Sequence, residues 1–139
     1  MNLERAIEIA VEAHKGAKDK GGNPYVLHPL RVMLSLRTDE ERMVGVLHDV
    51  VEDSEWTFQQ LVAEGFSEIV INGLKSVTKI TDDEDYSEFV KRAKSNPIGL
   101  RVKIADITDN LDITRIDSIR QKDIDRITKY KAALALLNE

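Results

Sequence analysis

The chain has 139 residues, enough for one compact domain and too few for two of ordinary size. Its composition is 42% hydrophobic and 32% charged, which is typical of a globular protein and argues against disorder. The absence of cysteine excludes disulfides, iron–sulfur clusters and thiol nucleophiles, so any metal site must use His, Asp and Glu. A formal net charge of −5 argues against a nucleic-acid partner.

The first third of the chain shows helical periodicity. Apolar residues recur on one helical face over residues 3–17, and the Gly-Gly-Asn-Pro run at 21–24 breaks the pattern. Pro29 suits the first turn of a second helix, predicted over residues 30–36.

Two capping-box patterns predict where the next helices begin, because each places a threonine three residues before Glu or Gln. They are Thr38 with Glu41, for a helix to about residue 53, and Thr57 with Gln60, for a shorter helix that stops near Gly65.

The remaining elements are also helical. We predict helices over residues 67–79, 86–94, 96–116 and 120–137, with an acidic surface loop at 80–85. No alternating strand pattern is present. The sequence therefore predicts an all-α fold, a single compact bundle of about seven or eight helices that forms one domain over residues 1–139.

No signal peptide or membrane span is expected, because the apolar runs are short and the chain opens with an amphipathic pattern. We therefore expect a cytoplasmic protein that has no membrane partner. An oligomer is possible.

Polar residues interrupt two apolar segments in a way that is typical of a metal site. His48-Asp49 lies within the predicted third helix, and Asp106 lies in the apolar helix that follows Pro97. His28 stands at a turn before Pro29. A core-facing aspartate costs several kcal/mol unless it is paired or binds a metal. Two imidazoles and two carboxylates suit Mn²⁺, Fe²⁺, Co²⁺ or Zn²⁺.

Simpler interpretations remain open for each residue alone. A lone buried histidine is usually a satisfied core residue, and a lone aspartate in a helix is usually exposed or a cap. His14, on the apolar face of the first helix, is expected to pack or to support the site rather than to bind a metal.

Several motifs together resemble the HD superfamily of metal-dependent phosphohydrolases, and most closely the hydrolase domain of RelA/SpoT-type alarmone enzymes and the small alarmone hydrolases. The order His28, His48-Asp49, Asp106 matches the family's H…HD…D signature. The supporting segments are Ala13-His14-Lys15-Gly16, Pro24-Tyr25-Val26-Leu27-His28-Pro29-Leu30 (similar to PYIxHPL), His48-Asp49-Val50-Val51-Glu52-Asp53-Ser54 (similar to HDxxEDT), Val77-Thr78-Lys79, and Lys103-Ile104-Ala105-Asp106-Ile107-Thr108-Asp109-Asn110 (similar to KLADRLHN).

The resemblance implies a role for each matching residue. His28, His48, Asp49 and Asp106 would bind the metal, which is manganese in the alarmone hydrolases. Glu52 and Asp53 match the pair thought to orient or activate the attacking water, and each is expected to lie one helical turn beyond a metal ligand. The residues that match substrate contacts are Lys20, Tyr25 and Asn110.

Two departures from the family pattern bear on the substrate. Asp19 precedes Lys20 where the alarmone hydrolases usually carry an arginine that helps hold guanine, and a carboxylate cannot stack as a guanidinium does. The Asp-Asn-Leu-Asp run at 109–112 replaces the usual HNMR-type sequence, so Asp112 stands in place of an arginine.

Three hypotheses for function follow. The first is an alarmone (ppGpp) 3′-pyrophosphohydrolase, and the second is an HD phosphohydrolase that acts on another phosphorylated nucleotide or small metabolite. The third is a catalytically silent module that keeps the fold and binds a nucleotide. The complete ligand set, together with Glu52 and Asp53, favours the two enzymes.

Overall fold

The computed structural model describes residues 1–116 and 118–139, and within them it contains α-helices and no β-strand. The all-α prediction is therefore confirmed. The helices are α1 (Leu3–Ala13), α2 (Leu27–Leu34), α3 (Asp39–Leu47), α4 (Val50–Asp53), α5 (Phe58–Glu64), α6 (Glu68–Ser76), α7 (Tyr86–Lys94), α8 (Pro97–Asn110) and α9 (Gln121–Leu137), and a 3-10 turn covers Ile113–Arg115.

Local sequence signals account for most helix starts. Both predicted capping boxes are present. The Thr38 side chain accepts the backbone N–H of Glu41, and the Glu41 side chain accepts the backbone N–H of Thr38. Thr57 and Gln60 make the same pair of hydrogen bonds. The Asn96 side chain likewise accepts two backbone N–H groups at the start of α8.

The predicted third helix is divided into α3 and α4, and the prediction of one continuous helix to residue 53 was wrong. The break falls at His48-Asp49. The His48 ring bonds through Nδ1 to the carbonyl oxygen of Gly45 at 2.6 Å. That carbonyl would accept the N–H of Asp49 in a continuous helix, so the side chain competes with the backbone for it.

Three other predicted helices were too long. α6 ends at Ser76 rather than at residue 79. α1 ends at Ala13 rather than near residue 17, with His14 as its C-cap. α8 ends at Asn110 rather than near residue 116. There the Asp112 side chain accepts the N–H of Thr114, which favours a separate 3-10 turn over a further helical turn.

The core is arranged around α3. This helix packs against α1, α2, α6 and α8, and the buried side chains of these helices form the larger of two apolar clusters. The smaller cluster joins α7, α8 and α9, so α8 links the two. Among the described residues, no helix is both long and apolar enough to cross a bilayer.

A glycine lets α3 approach α2 closely. A Cβ atom at Gly45 would lie 2.6 Å from Leu36 Cδ1 and 3.5 Å from the Cα of Met33. The close packing sets the His28 ring beside the His48 ring, with 5.2 Å between their centroids. The fold thus brings together two histidines that are twenty positions apart in the sequence.

Candidate metal centre

Four of the residues selected from the sequence meet between α2, α3, α4 and α8. The Nε2 atom of His48 lies 3.1 Å from Asp49 Oδ2 and 3.4 Å from Asp106 Oδ1. The Nε2 atom of His28 lies 2.9 Å from the same Asp106 oxygen and 4.0 Å from Asp49 Oδ2. One ligand atom each from His28, His48 and Asp49 lies within 4.8 Å of the other two.

Both imidazoles turn their Nε2 atoms toward the carboxylates. The Nδ1 atom of His48 donates to the Gly45 carbonyl, and that of His28 lies 2.6 Å from Asp109 Oδ2. With Nδ1 as the donor in each ring, Nε2 is the nitrogen that can bind either a proton or a cation. In the described part of the chain, the buried Nε2 of His48 has no hydrogen-bond partner.

Such an arrangement requires positive charge at its centre. Lone pairs on two nitrogens and two carboxylate oxygens face one another at short range, and only protons or a cation can offset their repulsion. A divalent cation bound by two His and two Asp fits this donor set.

The electrostatics of His48 and Asp106 agree with this interpretation. Burial favours a neutral His48 ring, but the carboxylates of Asp49 and Asp106 outweigh it and hold the pKa of His48 well above its usual value. Burial also opposes ionisation of Asp106, yet Lys103 and His48 hold the pKa of that carboxyl well below its usual range. The site is therefore built to keep Asp106 ionised.

Neighbouring side chains hold the two carboxylates in place. The Tyr25 hydroxyl donates to Asp49 Oδ2 at 2.5 Å, and the Asn110 amide donates to Asp106 Oδ1 at 3.0 Å. Lys103, which the sequence analysis missed, places its buried ammonium 3.2 Å from Asp106 Oδ2. Tyr25 and Asn110, which were expected to bind substrate, also line the adjacent cavity, so they contact both the carboxylates and the space next to them.

His14 lies beside this cluster but outside it. Its ring is buried against Tyr25, with 5.0 Å between the centroids. Burial lowers the pKa of His14, which favours a neutral ring that packs on the tyrosine.

Glu52 and Asp53 follow Asp49 in α4, and both side chains are exposed and absent from the lining of the cavity described below. Glu52 accepts the backbone N–H of Lys79 at 2.6 Å, which ties α4 to the segment after α6. Partial burial, together with the charges of Asp49 and Glu52, raises the pKa of Asp53 to about 6. The charge of Asp53 is therefore coupled to that of the cluster.

A cavity of about 370 Å³ opens over three of the four residues, and five of its lining side chains are cationic. His28, Asp49 and Asp106 form part of its wall. Its cationic lining residues are Lys18, Lys20, Arg31, Arg115 and Arg126. Of these, only Lys20 was selected from the sequence; it lies 3.4 Å from Asp123. The others belong to no recognisable motif and reach the cavity only through the fold.

Asp19 and Asp112, the two acidic residues that differ from the family pattern, have structural roles. Asp19 accepts the N–H groups of Gly21 and Asn23 at 2.9 Å each, so it shapes the turn that carries Lys20. Asp112 caps the 3-10 turn and lies 3.0 Å from an Arg115 nitrogen. Both line the cavity, whose wall therefore carries charges of both signs.

Comparison with known proteins shows what this chain is similar to. Residues 6–98 match the family described as HD domain. A guanosine-3′,5′-bis(diphosphate) 3′-pyrophosphohydrolase of Aquifex aeolicus is 33% identical over an alignment of 120 positions, and the match covers 78% of this chain and 17% of that protein. A protein of the same name from Borreliella burgdorferi is 31% identical over an alignment of 142 positions, gaps included, and the match covers 92% of this chain and 21% of that protein.

A solved structure has the same fold. It comes from work describing a metazoan ortholog of SpoT that hydrolyzes ppGpp, and it superimposes with a TM-score of 0.79 at 21% identity, over 97% of this chain and 84% of that one. The two curated relatives are much longer proteins, since the chain spans only 17% and 21% of their lengths.

Proposed function

Because the chain belongs to the HD domain family, we propose that it is a metal-dependent phosphohydrolase of a phosphorylated nucleotide, and specifically a (p)ppGpp 3′-pyrophosphohydrolase. The observation that carries the proposal is the buried cluster in which the nitrogens of His28 and His48 face the carboxylates of Asp49 and Asp106. The alternative is a phosphohydrolase that acts on another nucleotide or small phosphorylated metabolite, because Asp19 and Asp112 differ from the residues expected in alarmone hydrolases.

We assign the metal to His28, His48, Asp49 and Asp106, and propose Mn²⁺ because the motifs resemble those of manganese-dependent alarmone hydrolases. When bound, a divalent cation at such a site supplies Lewis-acid polarisation of a phosphoryl oxygen and lowers the pKa of water. Tyr25, Asn110 and Lys103 keep the carboxylates oriented through the bonds described above. Their contribution is positional.

The five cationic side chains that line the cavity support binding of phosphate groups. Charge-assisted hydrogen bonds from lysine and arginine are the usual contacts to phosphate oxygens. Arg126 also lies 5.5 Å over the Tyr130 ring at the cavity wall, so the two can offer a flat surface for a base. We propose that Lys20, Arg115 and Arg126 hold phosphates there and that they offset the absence of an arginine at position 19.

The carboxylates of Glu52 and Asp53 are proposed to orient and deprotonate the attacking water. Partial burial and the charges of Asp49 and Glu52 raise the pKa of Asp53, which favours proton uptake by its carboxylate as a general base requires. The Glu52 carboxylate is held by the Lys79 backbone N–H. Because α3 and α4 are separated by a break, the positions of the Glu52 and Asp53 carboxylates relative to the metal ligands are set by the turn at His48-Asp49 and not by ideal helical spacing.

The decisive experiment is a nucleotide panel with purified protein and Mn²⁺, in which released pyrophosphate and orthophosphate are measured separately. We expect pyrophosphate from guanosine-3′,5′-bis(diphosphate), and no release by Asp49→Ala. Release from another nucleotide only would support the alternative phosphohydrolase. Tight nucleotide binding without any release would support the silent binding module and contradict the proposal.

Glu52→Gln separates catalysis from metal binding. The substitution keeps the shape of the side chain and removes its charge, so kcat should fall by about 100-fold or more while Mn²⁺ affinity changes little. A normal kcat at saturating Mn²⁺ together with weaker metal binding would instead make Glu52 a metal ligand.

Other expectations from the sequence stay predictions. They are a cytoplasmic location, a single domain over residues 1–139 and the possibility of an oligomer.

A further inference from the structure

Asp109 connects the candidate metal centre to two arginines. Its Oδ2 atom lies 2.6 Å from Nδ1 of His28. Arg31 binds the same carboxylate through two nitrogens, at 2.8 Å and 3.1 Å. Arg115 donates to its backbone carbonyl at 2.8 Å and lies 3.5 Å from Oδ2. One side chain of α8 therefore holds a ring from α2 and is itself held by two cations.

The chemistry of this contact bears on the other nitrogen of the ring. A carboxylate that accepts the Nδ1 proton fixes the tautomer and the orientation of an imidazole, and it makes the opposite Nε2 a stronger ligand. In His28 that opposite nitrogen is the one that faces Asp106, at 2.9 Å. Arg31 binds the carboxylate in a bidentate manner and limits its rotation.

We infer that Asp109 is a positioning residue, which holds His28 in the tautomer and orientation needed to bind the metal and is itself held by Arg31. The inference rests on the metal site proposed above. It assigns a role to one of the departures in the sequence, because Asp109 stands where the KLADRLHN element carries histidine. A carboxylate supplies a charged acceptor at this position, which a neutral imidazole does not.

A purely structural role is the competing explanation, since the Arg31–Asp109 pair also ties α2 to α8. The chain offers a matched control. Arg5 binds Glu64 with the same pair of distances, 2.8 Å and 3.1 Å, and ties α1 to α5 with no contact to the cluster. Arg5 and Arg31 are equally exposed, at 32% and 33% of their side chains.

The test is the Mn²⁺ dissociation constant, measured by calorimetry on the full chain for the wild type, Asp109→Leu, Asp109→Asn and Glu64→Gln, with the Tm of each metal-free protein. We expect Asp109→Leu to weaken Mn²⁺ binding by about 10- to 100-fold. Asp109→Asn should lose less, because its amide oxygen still accepts the Nδ1 proton. Glu64→Gln should lower Tm at most and leave metal affinity unchanged.

Folded Asp109 variants that bind Mn²⁺ as tightly as the wild type would overturn the inference and leave the metal site standing. If Asp109→Leu fails to fold, Asp109→Ala, which also removes the acceptor, decides the question in the same way. A wild type that binds no divalent metal would overturn both this inference and the proposed function. A wild type that binds Mn²⁺ but cleaves no nucleotide would remove the proposed activity alone, because metal affinity still reports on Asp109.

Discussion

The buried lysine of α8 provides a prediction that separates fold stability from metal binding. Lys103 is 7% exposed, and its ammonium lies 3.2 Å from Asp106 Oδ2 and 4.4 Å from the centre of the Phe89 ring. Burial opposes its charge, but Asp106 outweighs this effect and raises the pKa of Lys103. Lys103→Met removes the charge and keeps an apolar chain of similar length.

The magnitude follows from the geometry of the pair. Two unit charges at this distance attract by about 5 kcal/mol at an effective dielectric constant of 20. Removing one partner of a buried pair costs about 3–5 kcal/mol, because the other charge stays buried. Asp106 keeps contacts to His28, His48 and Asn110, so we expect the lower end, about 3 kcal/mol.

The stability contributed by the Lys103–Asp106 pair depends on pH through the pKa of each group. Because folding raises the pKa of Lys103, its charge stabilises the folded protein. This stabilisation is fully present below about pH 10 and is lost as the pH rises through the pKa of the folded state. The lowered pKa of Asp106 contributes stability above about pH 4 that is lost as pH falls through its folded pKa. The loss in Lys103→Met should therefore be constant between about pH 5 and 9.

The assay is urea unfolding of the metal-free protein, with and without saturating Mn²⁺. Because the lysine and the metal compete for the charge of Asp106, the gain in stability on adding Mn²⁺ should be larger in Lys103→Met than in the wild type. Lys91→Met is the control, since Lys91 lies 3.5 Å from Glu88 in an exposed pair, and it should change stability by less than about 0.5 kcal/mol. A loss below about 1 kcal/mol in Lys103→Met, or a smaller Mn²⁺ gain, would refute this reasoning.

Two further predictions concern the edge of the site. Asp53→Asn should stabilise the metal-free protein by about 1 kcal/mol at pH 8. The rise of the Asp53 pKa to about 6 would correspond to a destabilisation of about 3 kcal/mol if the carboxylate were fully buried. Solvent screening of this exposed side chain reduces that destabilisation. Because the unfolded carboxyl titrates near pH 4, the gain should vanish below that pH, and denaturation curves at pH 4 and pH 8 that show equal gains would contradict this. Gly21→Ala should lower the unfolding free energy by about 1–3 kcal/mol and raise KM for the nucleotide, because the new Cβ would lie 2.3 Å from the Arg115 carbonyl oxygen. Thermal unfolding and steady-state kinetics identical to the wild type would show that the loop adapts.

Much of the helical framework could be predicted because its signals are local. The capping boxes at Thr38 and Thr57 contain both partners of their hydrogen bonds within four residues, so each helix start can be read without knowledge of the fold. The Asn96-Pro97 pair is equally local. These signals located helix starts better than helix ends.

The break at His48-Asp49 was missed because it depends on a side chain rather than on helix propensity. Nothing in Val46-Leu47-His48-Asp49-Val50 weakens a helix as glycine or proline would. The break is associated with the bond between the His48 ring and the Gly45 carbonyl, and that ring is oriented by packing against α2 and α8. A pattern of apolar residues carries no information on this competition.

The contacts around the four candidate ligands were predictable only in part. The motif order identified His28, His48, Asp49 and Asp106, and the structure brings them together. Asp109 and Lys103 flank Asp106 at three-residue spacing on α8, which places all three near one face. Whether that face meets His28 depends on the contact between α2 and α8, which has no local signal in the sequence.

We propose that His28 of α2, the His48-Asp49 pair between α3 and α4, and Asp106 of α8 bind one divalent cation. Anomalous scattering from crystals grown with Mn²⁺ tests this assignment. We expect one strong peak within about 2.0–2.3 Å of Nε2 of His28 and His48 and of carboxylate oxygens of Asp49 and Asp106. A peak elsewhere on the molecule, or none at a Mn²⁺ concentration that supports hydrolysis, would contradict it.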